Sequence, residues 1–170
     1  TDLTTPSSPG EFCFIVNGEP LFIKGTNWTP LDALHSRDRN HLDQVFPMLT
    51  ELNCNMIRAW GGNVYESDRF FDLCDESGIL VWQDFALACG VYPPTEAFLQ
   101  AIAAEAESVI TRLRNHACLA LWSGNNECDE SYFNAGMDNP DPNLDRISRE
   151  VLPRAVSNFD PYRPYLPSSP

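Results

Sequence analysis

Ala117-Cys118-Leu119-Ala120-Leu121-Trp122 runs six residues without a polar side chain and then opens into Ser123-Gly124-Asn125-Asn126-Glu127. A short run that is apolar on both faces reads as a strand buried from both sides, as a parallel sheet covered by helices requires. The same grammar recurs upstream. Ile79-Leu80-Val81-Trp82 is followed by Gln83-Asp84, and Asn55-Met56-Ile57-Arg58-Ala59-Trp60 by Gly61-Gly62. Helical patterns lie between these runs. Leu42, Val45, Phe46, Leu49 and Leu52 recur at helical spacing, and Pro47 is expected to kink that helix or mark its start. Tyr65 to Ser77 puts Phe70, Leu73 and Cys74 on one face and stops at Gly78, a usual helix-ending residue. Pro94-Thr95 opens a long helix with Phe98, Ile102, Ala106, Val109 and Leu113 in register. Asn143 to Phe159 reads as helix with Pro153 as a defect, and Pro161 to Pro170 as extended chain.

The start of the chain is different. Residues 1–10 are rich in Thr, Ser, Pro and Gly and read as a linker or the end of a preceding module. Thr1 rather than Met predicts a start inside a longer chain. Phe12 to Val16, the turn Asn17-Gly18, and Leu21 to Lys24 predict a short β-hairpin. Beyond it the strand-and-helix unit repeats every thirty residues or so, the size of a βα unit. The count is four units and the start of a fifth. The fold class is therefore α/β. Both an open doubly wound sheet and a closed (β/α)8 (TIM) barrel fit the pattern. A nucleotide-binding open sheet carries a G-x-G-x-x-G turn, and Gly61-Gly62 lacks that spacing. The barrel is favoured.

Composition narrows the function. Twenty-four acidic against eleven basic residues give a net charge of −13, which argues against nucleic acid as a partner. No apolar run reaches the roughly 18 residues of a membrane helix, and no signal-like start reports a compartment. The six cysteines form no C-x-x-C pair, and His35, His41 and His116 fall at no zinc-like spacing, so no metal site is expected.

In a barrel, chemistry gathers at the C-terminal ends of the strands. Those positions hold Asn27-Trp28 with Asp32, then Arg58 with Trp60-Gly61-Gly62, Gln83-Asp84, and Trp122 through Glu127. Hydrogen-bonding side chains and aromatic platforms suit the hydroxyl rims and C–H faces of sugars better than any cofactor. Each also has a plainer reading. Glu127 could be a helix-start carboxylate, Arg58 a buried ion-pair partner, and Trp28, Trp60, Trp82 and Trp122 core aromatics.

Four ordered blocks, with a fifth near residue 170, sharpen the choice. Asn17 to Trp28 resembles the opening of the catalytic barrel of glycoside hydrolase family 2. Ile57-Arg58-Ala59-Trp60-Gly61-Gly62 resembles the second strand of its β-mannosidase branch, and Gly78 to Phe85 the third. Leu121 to Glu127 resembles the fourth, and Arg163-Pro164-Tyr165 with Ser168-Ser169-Pro170 the approach to the fifth. The resemblance covers residues 11–170 and implies the N-terminal half of a (β/α)8 barrel. It implies a retaining hydrolase of terminal β-D-mannosyl residues, with no cofactor and with β-sandwich domains upstream. Glu127 matches the general acid/base, Arg58 the arginine that supports the nucleophile, and Asn126 the residue that binds the 2-hydroxyl. Trp60, Trp28, Asp32, Asp84 and Trp122 fall where substrate contact is expected. The family's nucleophile belongs to strand seven, so these 170 residues are expected to be inactive alone. Other family 2 activities (β-galactosidase, β-glucuronidase or exo-glucosaminidase types) and a non-catalytic carbohydrate-binding role remain as alternatives.

Overall fold

The computed structural model describes residues 13–136 and 141–169, so the expected linker at 1–10, Phe12 and Pro170 lie outside the described residues. The hairpin forms, but shorter than the sequence suggests. Strand β1 (Phe14–Val16) pairs antiparallel with β2 (Glu19–Leu21). Asn17 and Gly18 make the turn with φ of 53° and 87°, the positive values that a two-residue hairpin loop demands. Phe22 to Lys24 leave this ladder. They are tied instead to the next unit, where the Asn55 side chain donates to Phe22 O and accepts from Lys24 N.

Five strands then form one parallel sheet: β3 (Gly25–Trp28), β4 (Met56–Ala59), β5 (Leu80–Asp84), β6 (Leu119–Ser123) and β7 (Tyr165–Leu166). Their order in space is their order in the chain. That decides between the two architectures, because a doubly wound sheet reverses direction at a switch point and a barrel wall never does. The sheet is the N-terminal arc of a (β/α)8 barrel.

Helices cover one side: α1 (Leu42–Glu51), α2 (Asp68–Ser77), α3 (Glu96–Leu113), the short α4 (Cys128–Asn134) and α5 (Leu152–Phe159). Their limits follow local chemistry. Gly78 ends α2 at φ 67°, and the Thr95 side chain accepts from Phe98 N at the start of α3. Pro47 neither starts nor stops α1 but lies inside it. The stretch 143–159 is not one α-helix. A 3-10 turn at Pro142–Leu144 precedes a wide π turn at Ile147–Val151, in which Leu152 N bonds Ile147 O, and only then does α5 begin. Pro153 thereby falls in the first turn of α5, where its missing N–H goes unneeded.

Side chains alternate across a strand, so register sorts them. Asn27, Arg58 and Trp82 are partners across β3, β4 and β5, and Asp84 faces Ser123 on β6. These line the barrel interior. Trp28, Ala59, Gln83 and Trp122 are likewise in register, on the opposite face. That face carries the core, with Ile57, Val81, Phe70 and Ile110 at 0% exposure. Phe70 sits 5.0 Å from Trp28, 5.8 Å from Phe46 and 5.1 Å from Phe71, ring centre to ring centre. Truncating it to Ala would cost about 4 kcal/mol.

Candidate active site

Arg58 is the hub of the interior face. Its Nε and Nη2 donate to Asp84 Oδ2 at 3.1 and 2.7 Å, and its guanidinium lies 5.8 Å from the centre of the Trp82 ring. Gly61 N–H adds a third donor to the same oxygen at 3.0 Å, and Trp82 Nε1 donates to Oδ1 at 2.9 Å. Burial pushes the Asp84 carboxyl above its ordinary pKa, against the pull of Arg58, Gly61 and Trp82. Gly61 is required here. A Cβ at this position would press into the carbonyl oxygens of Leu87 and Phe85, 2.5 and 2.8 Å away. The arginine thus stands on a carboxylate with four donors, so its direction is fixed.

The same Nη2 reaches the rim of β6. Arg58 Nη2 donates to Asn126 Oδ1 at 2.8 Å and to Ser169 Oγ. Asn126 is held from both sides by bridges to Ala88 and Ser169, which extend the parallel ladder past the strand ends. Its N–H donates to Leu87 O, and its carbonyl accepts from Cys89 N. Glu127 N–H donates to Ser169 O at 2.9 Å. Glu127 itself sits in the left-handed region at φ 58°, as Cys89 does at φ 49°. A non-glycine residue held there costs about 1–3 kcal/mol, and such strain concentrates at functional sites. Below this rim Asn125 is spent on structure. Its amide donates to Ser148 Oγ and Pro167 O, and its Oδ1 accepts from Cys128 N and Ser168 Oγ.

The Glu127 carboxyl opens onto a shallow cleft shared with Phe133, Ser168 and Ser169. Oε2 accepts from Cys89 Sγ at 3.3 Å, while Asn126 Nδ2 reaches the same sulfur at 3.4 Å. The bond to Glu127 pushes the Cys89 thiol above its ordinary pKa. A carboxyl, an amide and an anchored guanidinium therefore meet at one strand end, where a hydroxylated ligand could be gripped and a proton moved.

Residues 11–152 match the family model described as glycosyl hydrolases family 2, TIM barrel domain. The chain belongs to glycosyl hydrolase family 2. A beta-mannosidase from Capra hircus is 36% identical over 173 residues, which span 96% of this chain and 20% of that protein. Beta-mannosidase B from Thermothelomyces thermophilus is 37% identical, over 95% of this chain and 21% of its own length. The crystal structure of a β-D-mannosidase from Dictyoglomus thermophilum superposes with a TM-score of 0.88 at 42% identity, over 95% of this chain and 20% of that one. A Bacteroides uniformis β-glucuronidase shares the fold, with a TM-score of 0.76 at 19% identity over 88% of this chain and 18% of that one. The chain spans about a fifth of the length of these relatives.

Within this family 2 barrel arc, the structure brings Arg58, Asp84 and Asn126 together and sets Glu127 beside them. It does not bring in every predicted contact. Trp28 is 3% exposed and packs on Phe46 and Phe70, with Nε1 donating to Glu66 Oε1. Trp122 is fully buried, stacks on Phe85 and donates to Asp160 Oδ2. Both stand on the helix-facing side of their strands, away from Arg58, and pack in the core. Asp84, with no exposed side-chain surface, holds Arg58 and leaves no surface for substrate. Asp32 is engaged inside its own loop, accepting from Leu34 N and standing 3.6 Å from His41 Nε2. Trp60 is half-buried at the end of β4, and its ring covers Gly62 so closely that a Cβ there would overlap it. Ser169 and Cys89, which touch Arg58 and Glu127, carry no role in the sequence reading. Ser169 lies in a block already singled out, but its contact with Arg58 spans 111 residues and has no local signature.

Two groups of ligand-type side chains also come together, which spacing along the chain did not foresee: Asp75, His116 and Cys118, and His35, Asp38 and Glu66. In the first, Asp75 bonds both partners, and Cys118 Sγ also donates to Phe71 O. Asp75 accepts from Cys118 N at 2.7 Å and meets His116 Nδ1 at 2.7 Å. Burial alone would raise the Asp75 pKa, but the bonds from His116 and Cys118 hold it below the ordinary carboxylate range.

Proposed function

We propose that this chain carries the acid/base half of a retaining glycosidase site for terminal β-D-mannosides. The observation that carries the reading is the Asn126-Glu127 pair at the rim of β6, with Asn126 Oδ1 held by the anchored Arg58. Similarity to proteins named β-mannosidase, at 36–42% identity, supports the choice of sugar. The β-glucuronidase likenesses support the fold and favour no other sugar.

Each role follows from the chemistry available. Arg58 occupies the acceptor of Asn126 and so turns Nδ2 outwards. One of its two protons is spent on Cys89 Sγ, which leaves the other for a sugar hydroxyl such as that at C2. Glu127 protonates the glycosidic oxygen as the bond to the leaving group breaks. It then takes a proton from the water that attacks the glycosyl intermediate. Retention requires a nucleophilic carboxylate about 5–5.5 Å away, supplied by a later strand of the barrel. Arg58, facing the interior, would help keep that group ionised. Trp60 is the candidate platform for the sugar face. Residues 11–170 then form the N-terminal half of the catalytic barrel.

The test is kinetic and uses a polypeptide that carries this segment with all eight strands. Glu127→Gln should slow aryl β-mannosides with poor leaving groups by about 10²-fold or more and activated ones far less, since these need little proton donation. Azide should restore part of the second step. An equal loss across leaving groups would remove Glu127 from the acid role. Efficient hydrolysis of galactosides or glucuronides without mannosides would overturn the substrate.

A further inference from the structure

We propose that His35, Asp38 and Glu66 form a divalent-cation site, best suited to zinc, that ties together two loops at the rim of the barrel. His35 and Asp38 lie on the 3-10 turn His35–Asn40 in the loop after β3, and Glu66 ends the loop after β4. They are far apart in sequence, yet one ligand atom from each falls within 4.8 Å of both others. His35 Nδ1 and Asp38 Oδ2 share a hydrogen bond at 2.8 Å, which an ion would replace by spreading the two atoms to the roughly 3.3 Å between neighbouring ligands of a tetrahedral zinc.

The charge balance points the same way. Asp38 is 3% exposed and Glu66 2%. Among the described residues no Lys or Arg pairs with either carboxylate. Arg112, the basic group beside Glu66, donates to its backbone carbonyl and to Asp68 instead. Two carboxylates taken out of water beside one imidazole leave a net negative pocket, which is costly unless a cation fills it.

The orientation of the ligands is already fixed from outside. Asp38 Oδ1 accepts from Asp32 N at 2.9 Å, which leaves Oδ2 facing His35. Glu66 Oε1 accepts from Trp28 Nε1 at 3.1 Å and from Asn63 Nδ2 at 3.4 Å. Such outer hydrogen bonds are what hold metal ligands in place. One imidazole and two carboxylates form a nitrogen–oxygen set that suits zinc, with manganese next. The His35 side chain is 37% exposed, so water can complete the coordination shell. An ion here would clamp the loop that begins Trp60-Gly61-Gly62 to the loop that follows Trp28. Its existence is independent of which sugar is cleaved.

The experiment titrates zinc chloride into the chelator-stripped protein, read by calorimetry and by thermal melting, with manganese and calcium chloride as comparators. One zinc per chain should bind with micromolar or tighter affinity and raise the melting temperature, and calcium should bind more weakly. Glu66→Gln and the half-exposed His35→Ala should each weaken zinc about tenfold or more. Asp75→Asn, in the other cluster, should leave it unchanged. The absence of stoichiometric binding would overturn the proposal. So would binding that survives both loop substitutions or is lost with Asp75→Asn.

Discussion

Replacing Asp84 by Asn would remove the buried charge that anchors Arg58, which is 16% exposed. Breaking a pair this buried costs about 3 kcal/mol, which chemical denaturation would read. The aromatic residues separate by role. Trp28→Phe removes the donor to Glu66 and should lower the melting temperature while leaving KM nearly unchanged; Trp60→Ala should raise KM with little loss of stability. Asp75 gives a prediction with a sign. Its folded pKa is depressed, so its stabilisation is present above the unfolded value, near 3.9, and is lost as pH falls through the folded value. Asp75→Asn should therefore destabilise at neutral pH, and the gap to the parent should close in acid. Residue types near strand ends were enough to single out Arg58, Asn126 and Glu127, which the fold gathers at one rim. They were not enough to say which tryptophans face the barrel interior. That depends on whether a side chain falls on an odd or even position of its strand, and on a register shift between Val81 and Trp82 that no pattern announces.

Elements were legible where a local cause fixes them. The Asn17-Gly18 turn, the Thr95 cap and the Gly78 stop all act within a few residues. The stretch 143–159 was not, because a π turn at Ile147–Val151 precedes Pro153 and such turns have no residue-type signature. Nor was the clamp at Arg163. Its guanidinium donates to the backbone carbonyls of Leu119, Arg114 and His116 and to Asp160, fixing the lead-in to β7 against the start of β6. Asp160 in turn accepts from Trp122. Arg163→Ala should cost about 3 kcal/mol, since it strands a 5%-exposed carboxylate side chain and several carbonyls at once. Arg163→Lys, a point charge without the fork, should recover only a minor part, as equilibrium unfolding would report.

At the scale of the molecule, strand order carries the fold. Short apolar runs at βα spacing predict a parallel sheet, but only the unbroken order from β3 to β7 makes it a barrel wall. The same geometry gathers Arg58 of β4, Asp84 of β5, Asn126 beyond β6 and Ser169 beyond β7 at one rim. It also leaves β3 and β7 each with one unpaired edge among the described strands. On the retaining mechanism proposed above, these 170 residues tested alone are predicted to give no turnover of an aryl β-mannoside above background, because that mechanism takes its second carboxylate from a strand beyond the five described. Sugar chemistry at the β6 rim is tested most directly by a crystal structure of a β-mannoside trapped in the eight-stranded polypeptide bearing Glu127→Gln. The account predicts the glycosidic oxygen within hydrogen-bond reach of the side chain at 127 and the 2-hydroxyl on Asn126 Nδ2. A sugar bound away from that rim, or one whose glycosidic oxygen faces a different carboxyl, would contradict it.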